Sequence, residues 1–292
     1  MTAASLANNT QRLRARFARL VCMTLLALSV SACGTKLLYE RFDRLAGWYL
    51  EGLVSLDADQ RSSLDRWLEV SLEWHRASEL NRYAAFLREL ESELTRPLSY
   101  EDYDRARRRI EGFWRDFVAG TMPQAGDLLA TLSRDQVDEL IASLEEEDRE
   151  TADELASRSA SELAERRVKR LRRGVERWTG RLDGEQRRIV AEAAADLEPL
   201  GRLRLDNRAH WREQLRTALL APPDVAAAAV AQLLGDPETT WTDAYRAGVI
   251  GNRDRVLRMM AELDDTLSDA QRARMRARIG ELAEDLESLA RE

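Results

Sequence analysis

The chain has 292 residues, with 45 Lys and Arg against 52 Asp and Glu and a formal net charge of −7. Its first 32 residues hold four arginines and no acidic residue, so the remainder carries a net charge of −11. An acidic chain of this kind argues against binding to nucleic acid and against electrostatic docking on anionic lipid.

The first predicted element is a basic leader followed by an apolar run over residues 20–30. The run is too short to cross a bilayer as a permanent helix, which is typical of a secretory signal peptide. The six residues Leu-Ser-Val-Ser-Ala-Cys, which end at Cys33, resemble the lipobox of bacterial lipoproteins. The resemblance implies cleavage after Ala32, attachment of palmitate-type acyl chains through the Cys33 thiol, and acylation of the new amino terminus. The alternatives are an uncleaved anchor helix and an ordinary signal peptide with an incidental cysteine.

This interpretation makes residues 1–32 a cleaved signal peptide and residues 33–36 a lipidated tether. Gly34 follows the cysteine, where an Asp would retain an enteric-type lipoprotein in the inner membrane. We therefore expect the outer membrane, on its periplasmic face, and the inner membrane is the alternative.

Residues 37–55 are predicted to form a membrane-proximal amphipathic helix. One helical face carries four large apolar or aromatic residues, namely Leu38, Phe42, Leu45 and Tyr49. This face packs on the core or lies in the membrane interface. We favour the core, because the opposite side is not notably basic.

The rest of the chain is predicted to be all-α. Ala, Leu, Arg and Glu dominate, Gly and Pro are scarce, and apolar residues recur at helical spacing. The spacing predicts helices near 57–76, 79–95, 99–131, 133–178, 183–199, 202–220, 223–265 (broken around 235–237) and 268–290.

A short signature, Leu-(Asp/Ser)-x-x-Gln, occurs four times, starting at Leu56, Leu132, Leu182 and Leu267. An Asp or Ser three residues before a Gln is the spacing of a capping box, in which each side chain bonds the other residue's backbone amide. We therefore expect a helix to begin at each copy.

The four copies also predict a tandem duplication. Several features recur at an offset of 126 residues, and one insertion of about eight residues aligns the rest. The first helical unit then spans residues 56–181, and the second spans residues 182–292.

A charged stretch over residues 145–170 stands apart from the amphipathic pattern. It opens with the run Glu-Glu-Glu-Asp-Arg-Glu, which starts at Glu145. We interpret it as a solvated helix that joins the two units. The alternative is a protruding arm that grips a partner.

One short stretch carries the residues that come closest to a chemical constellation. They are Trp74, His75, Arg76, Glu79 and Tyr83, which form a candidate surface site. Arg76, Glu79 and Tyr83 have the spacing i, i+3 and i+7, which would place them on one helix face. As an enzyme, the chain would use Glu79 or His75 as a general base and Arg76 as an anion clamp. The favoured alternative packs Trp74 in the core and pairs Arg76 with Glu79 on the helix surface. Since no metal-spaced set, nucleophile elbow or phosphate loop is found, we predict no catalytic residue, metal or cofactor.

Two resemblances bear on function. The segments from Tyr39 to Tyr83 and from Arg177 to Gln186 resemble a family of proteobacterial lipoproteins known as domain of unknown function 6279. The matching residues are Tyr39, Leu45, Trp48, Tyr49, Leu50, Leu56, Asp57, Gln60, Trp74, His75, Arg76, Glu79, Leu80, Tyr83, Arg177, Trp178, Gly180, Leu182 and Gln186. That family implies an envelope location and supplies no activity. The Leu-(Asp/Ser)-x-x-Gln signature is also similar to the Leu-Thr-x-x-Gln motif of small periplasmic helical chaperones.

The sequence thus favours a non-enzymatic, lipid-anchored helical protein that binds a protein partner or assists envelope assembly. The expected partners are the membrane, through acyl chains on Cys33, and an envelope protein, with no nucleic acid. The alternatives are a periplasmic chaperone that holds unfolded clients and an envelope hydrolase that uses Glu79 and His75.

Overall fold

The computed structural model describes residue 39 and residues 42–291. Within these residues the chain forms eleven α-helices, one 3₁₀ turn and no strand, so the all-α prediction is confirmed. The predicted cleavage site at Ala32 and lipidation site at Cys33 lie outside the described residues, as does Leu38. Among the helices that are described, none is both long and apolar enough to cross a membrane.

The helices follow one another with short connections. They are α1 (Phe42–Glu51), α2 (Ala58–Ser78), α3 (Leu80–Glu93), α4 (Tyr100–Leu129), α5 (Arg134–Ala156), α6 (Ala160–Thr179), α7 (Gly184–Asp196), α8 (Gly201–Leu219), α9 (Pro223–Gly235), α10 (Asp243–Asp265) and α11 (Asp269–Leu289). The 3₁₀ turn, Pro237–Thr240, separates α9 from α10. The predicted break around 235–237 is therefore confirmed.

One predicted helix, 133–178, is wrong, because the chain forms two helices there. α5 ends at Ala156 and α6 begins at Ala160. The Ser159 hydroxyl accepts a hydrogen bond from the Glu162 backbone amide, and the Glu162 carboxylate accepts one from the Ser159 amide. This is a complete capping box, which starts a new helix. The charged stretch 145–170 is thus not one continuous helix or arm.

All four copies of the repeated signature form the capping boxes that their spacing predicts. The N-cap residues are Asp57, Ser133, Asp183 and Ser268, and the glutamines that complete the boxes are Gln60, Gln136, Gln186 and Gln271.

The side-chain amides of these glutamines also hydrogen-bond to one another, in two pairs. Gln60 Nε2 donates to Gln136 Oε1 at 3.1 Å, and Gln136 Nε2 donates to Gln60 Oε1 at 2.6 Å. Gln186 and Gln271 make the same reciprocal pair at 2.9 and 2.8 Å. The first pair joins α2 to α5, and the second joins α7 to α11.

The surroundings of the two glutamine pairs also correspond. Gln60 and Gln186 each donate to a threonine carbonyl, that of Thr131 and that of Thr266. Gln136 donates to the Ser55 carbonyl, and Gln271 donates to the Arg181 carbonyl. Each acceptor lies two residues before the N-cap of the capping box that the partner glutamine completes. These bonds fix the start of one helix against the start of another. The duplication itself stays a prediction.

The helices of the two predicted units interleave. α3 packs against α11, α5 against α8, and α4 against α9. One apolar cluster accordingly combines Val137 and Ile141 of α5 with Leu215 and Leu219 of α8.

The crossing of α4 and α9 depends on small residues. A Cβ atom added to Gly126 would lie 2.3 Å from the carbonyl oxygen of Ala227 and 3.0 Å from Cβ of Ala231. Glycine is required there because the α9 backbone cannot be displaced without moving the helix.

The short helix α1 lies against α2. Ala46 and Leu50 pack on the cluster that contains Leu64 and Leu68. Tyr49 is 38% exposed, and its hydroxyl donates to Glu147 of α5 at 3.2 Å. The described part of this segment therefore packs on the core, as the sequence favoured, but through Ala46 and Leu50 and not through Tyr49, which the prediction placed on the packed face.

Candidate functional site

The candidate site lies where α2 and α3 meet α4. Glu79 is the single residue between α2 and α3, and its backbone amide donates to the His75 carbonyl. This break falls within the residues that the sequence singled out and leaves Tyr83 on α3, so the prediction that Arg76, Glu79 and Tyr83 lie on one helix is wrong. Tyr83 still contacts His75 of α2, with ring centroids 5.5 Å apart.

His75 is enclosed by aromatic rings. The Tyr39 ring stacks on it with centroids 5.8 Å apart, the Tyr83 ring lies at 5.5 Å, and the Phe117 ring meets it edge-on at 5.4 Å. Burial lowers the pKa of the imidazole below its ordinary value, and the negative charge of Glu79 offsets only part of this shift. The neutral form of His75 is therefore favoured.

Tyr39 ties the chain before α1 to α2. Its hydroxyl lies 3.2 Å from the Leu72 carbonyl oxygen and 3.1 Å from His75 Nδ1. A hydroxyl has one proton, so it donates to one of these atoms and can accept from a protonated Nδ1. We name this contact between Tyr39, Leu72 and His75 the Tyr39 clasp.

Arg76 takes part in the same arrangement. Its guanidinium carbon lies 5.6 Å from the centroid of the Tyr39 ring, within cation–π range. Its Nε atom is buried, and no described residue bonds it. The predicted surface ion pair between Arg76 and Glu79 is wrong, because Glu79 pairs with a different arginine.

Glu79 is 2% exposed, and Arg82 satisfies its carboxylate. Arg82 Nη1 donates to both carboxylate oxygens, at 2.8 and 2.9 Å, and Nη2 donates to Asp116 of α4 at 2.7 Å. Burial, followed by the charge of Glu79, raises the pKa of Tyr83 to about 12. Tyr83 therefore keeps its proton over the physiological range.

Trp74 packs against α4. A Cβ atom added to Gly120 would lie 2.6 Å from the tip of the Trp74 ring, so the indole lies directly on the helix backbone. Trp74 therefore packs on a neighbouring helix, as the packing alternative expected, but it is half-buried and lies outside the apolar clusters of the core.

The structure thus brings His75, Arg76, Glu79 and Tyr83 together, with Trp74 beside them. Sequence reasoning did not include Tyr39, Arg82 or Phe117 in the site. Arg82 had a local signal, since it lies three residues after Glu79. The Phe117 contact, which comes from a distant helix, had none.

The chemistry open to this arrangement is limited. Proton abstraction needs an accessible atom, but Nδ1 of His75 is engaged by Tyr39 and three rings surround the imidazole. The carboxylate of Glu79 is already bonded through both oxygens. Over residue 39 and residues 42–291, no group of three or more His, Cys, Asp or Glu is placed to hold a metal ion.

A protein-family model described as a family of unknown function, DUF6279, matches residues 52–246. The match covers more than half of the chain. The chain belongs to this family. No curated protein and no solved structure matches it. The matched region contains the candidate site from Trp74 to Tyr83 but neither Cys33 nor Tyr39, and the family's description supplies no activity.

Proposed function

We propose that this chain is a lipid-anchored, non-enzymatic protein of the bacterial envelope, which binds a protein partner or assists assembly at the outer membrane. The observation that carries the proposal is the lipobox-like segment ending at Cys33, only six residues before Tyr39. Six extended residues span at most about 21 Å. An acylated Cys33 would therefore keep the helical body close to the membrane.

The Tyr39 clasp supports this geometry. Its hydroxyl and ring both contact α2, so the residue six positions after Cys33 is already packed on the helical body. A lipoprotein that reaches far from its membrane needs a long flexible linker, and residues 34–38 are too few to act as one.

The arrangement around His75 favours a non-enzymatic role. The two residues that a hydrolase would use, His75 and Glu79, are held by Tyr39 and Arg82 in a packed setting. A hydrolase would have to release Nδ1 of His75 and the Glu79 carboxylate before either could accept a proton from a substrate.

A chaperone function is the second candidate, and one observation favours it. Ile110 and Trp114 lie one turn apart on α4 and are 55% and 57% exposed. Large exposed apolar neighbours are typical of surfaces that bind apolar segments. The repeated Leu-(Asp/Ser)-x-x-Gln signature adds no support, because its glutamines bond inside the protein.

Membrane fractionation of two cysteine variants tests the anchor. Cys33→Ala should leave an unprocessed chain that no longer sediments with outer-membrane fractions. Cys22→Ala is the matched control, because it removes the only other cysteine and leaves the lipobox intact. Unchanged fractionation of Cys33→Ala would contradict the proposal.

A further inference from the structure

The helix α6 has two faces of opposite character. Leu171 and Val175 pack on the cluster of Leu182, Val190 and neighbouring residues. The opposite face carries four basic side chains at helical spacing i, i+3, i+4 and i+7, namely Arg166, Lys169, Arg170 and Arg173. All four are exposed.

These charges form few ion pairs within the protein. Arg166 lies 3.6 Å from Glu154, at the outer limit of an ion pair. Over the described residues, Lys169, Arg170 and Arg173 have no carboxylate within 4.0 Å. The four side chains extend over about 10 Å of helix, close to the screening length of about 8 Å at physiological salt. They therefore act together as one positive surface on an acidic protein.

The flanks of this face do not neutralise it. Arg167 donates to the Leu197 carbonyl and Arg172 lies 3.8 Å from Glu176, yet the Nε atoms of both arginines are buried without a hydrogen-bond partner. The nearest acidic residues on the helix are Glu162, Glu165 and Glu176. Glu165 lies one turn before Lys169 and is exposed, but its carboxylate is more than 4.0 Å from the Lys169 ammonium. Glu162 is occupied with the capping box at Ser159.

We propose that α6 presents a cationic docking face, formed by Arg166, Lys169, Arg170 and Arg173, for a carboxylate-rich segment of a protein partner. Arginine forks match carboxylates in charge and in geometry. The inference rests on the proposed function as a protein-binding module and names the chemistry of its partner.

The location of α6 favours a protein over the anchoring membrane. α6 packs chiefly against α7 and α11, whereas Tyr39, the described residue nearest to the predicted anchor, binds α2. The cationic face thus belongs to a different set of helices from the one that the tether joins.

The test measures binding of fluorescent poly-L-glutamate to the full-length purified protein in neutral nanodiscs at physiological salt. The variant K169E/R170E/R173E should bind about tenfold more weakly, since three exposed charge pairs are lost. The matched control is R66E/R115E/R134E, which changes net charge equally at exposed positions on three different helices. The control should change binding by less than about twofold.

Three results would overturn the proposal. Equal weakening in both variants would mean that only net charge matters. If the protein in phosphatidylglycerol nanodiscs no longer bound poly-L-glutamate through α6, the face would bind lipid instead. An α6-dependent dimer in sedimentation experiments would assign the face to a second copy of the chain. An unmodified Cys33 would contradict only the proposed anchor. Both variants share the same N-terminal sequence, so comparing them still tests the α6 face.

Discussion

His75 and His210 each lie beside a tryptophan and an arginine in the sequence, but their surroundings in the fold differ. His75 is enclosed by three aromatic rings and bonds Tyr39. His210 is exposed, and its one hydrogen bond to a described residue joins it to Gln214, one turn later on the same helix. The difference comes from what the rest of the chain places against each helix. A triplet of residue types therefore says little about a site until its distant neighbours are known.

The arginines beside the two histidines also have different kinds of partner. Arg76 lies over the Tyr39 ring, whereas Arg212 binds Asp148 in a mostly buried ion pair with side-chain exposures of 15% and 12%. Arg208 binds the same carboxylate. Carboxylates of the acidic run that begins at Glu145 thus form ion pairs with arginines of α8. The basic face of α6 is not paired in this way.

Breaking the ion pair near His210 should give the largest effect. Asp148→Ala leaves Arg212 and Arg208 without their shared carboxylate, so the free energy of unfolding should fall by about 2–3 kcal/mol. Asp138→Ala is the control, because Asp138 pairs with Arg216 between the same two helices but is 58% exposed. It should cost less than about 1 kcal/mol. Equal losses in denaturant unfolding would show that burial of the first pair is unimportant.

Removing the two histidine rings separately should sharpen the comparison. His75→Ala leaves a gap between Tyr39, Tyr83 and Phe117 and should reduce the free energy of unfolding by about 2 kcal/mol. His210→Ala removes an exposed ring and should stay within about 0.5 kcal/mol of the parent protein. The measurement is chemical denaturation followed by circular dichroism. Comparable stability of the two variants would contradict the packed setting of His75.

Removing one hydroxyl should give the smallest effect. Tyr39→Phe keeps the ring on His75 but loses the contacts with Leu72 and Nδ1, so unfolding should become easier by about 1 kcal/mol. Tyr245→Phe is the control, since its ring also packs on a neighbouring ring and no described residue bonds its hydroxyl. If the two variants lose the same stability, the Tyr39 clasp does not hold the tether.

The sequence predicted the local features of this fold better than the distant ones. Helix starts at Asp57, Ser133, Asp183 and Ser268 follow from side chains three residues apart, and all four are found. The helix start at Ser159 had the same kind of signal, Ser-x-x-Glu. It was missed because the charged run was interpreted as part of one continuous helix.

Contacts between distant residues were beyond the sequence. The pairing of Gln60 with Gln136 requires two helix starts to meet across 76 residues, and no spacing rule predicts that meeting. Tyr39 and His75 meet across 36 residues in the same way. The helical positions of Trp74, His75 and Arg76 could therefore be predicted, while the enclosure of His75 and the partner of Glu79 could only be seen in three dimensions.

The most direct test of the central claim is the mass of the N-terminal peptide of the protein isolated from cell membranes. A lipid-anchored protein predicts a chain that begins at Cys33, with a diacylglyceryl group on the thiol and an acyl group on the amine. A chain that begins at Met1, or an unmodified Cys33, would contradict the account.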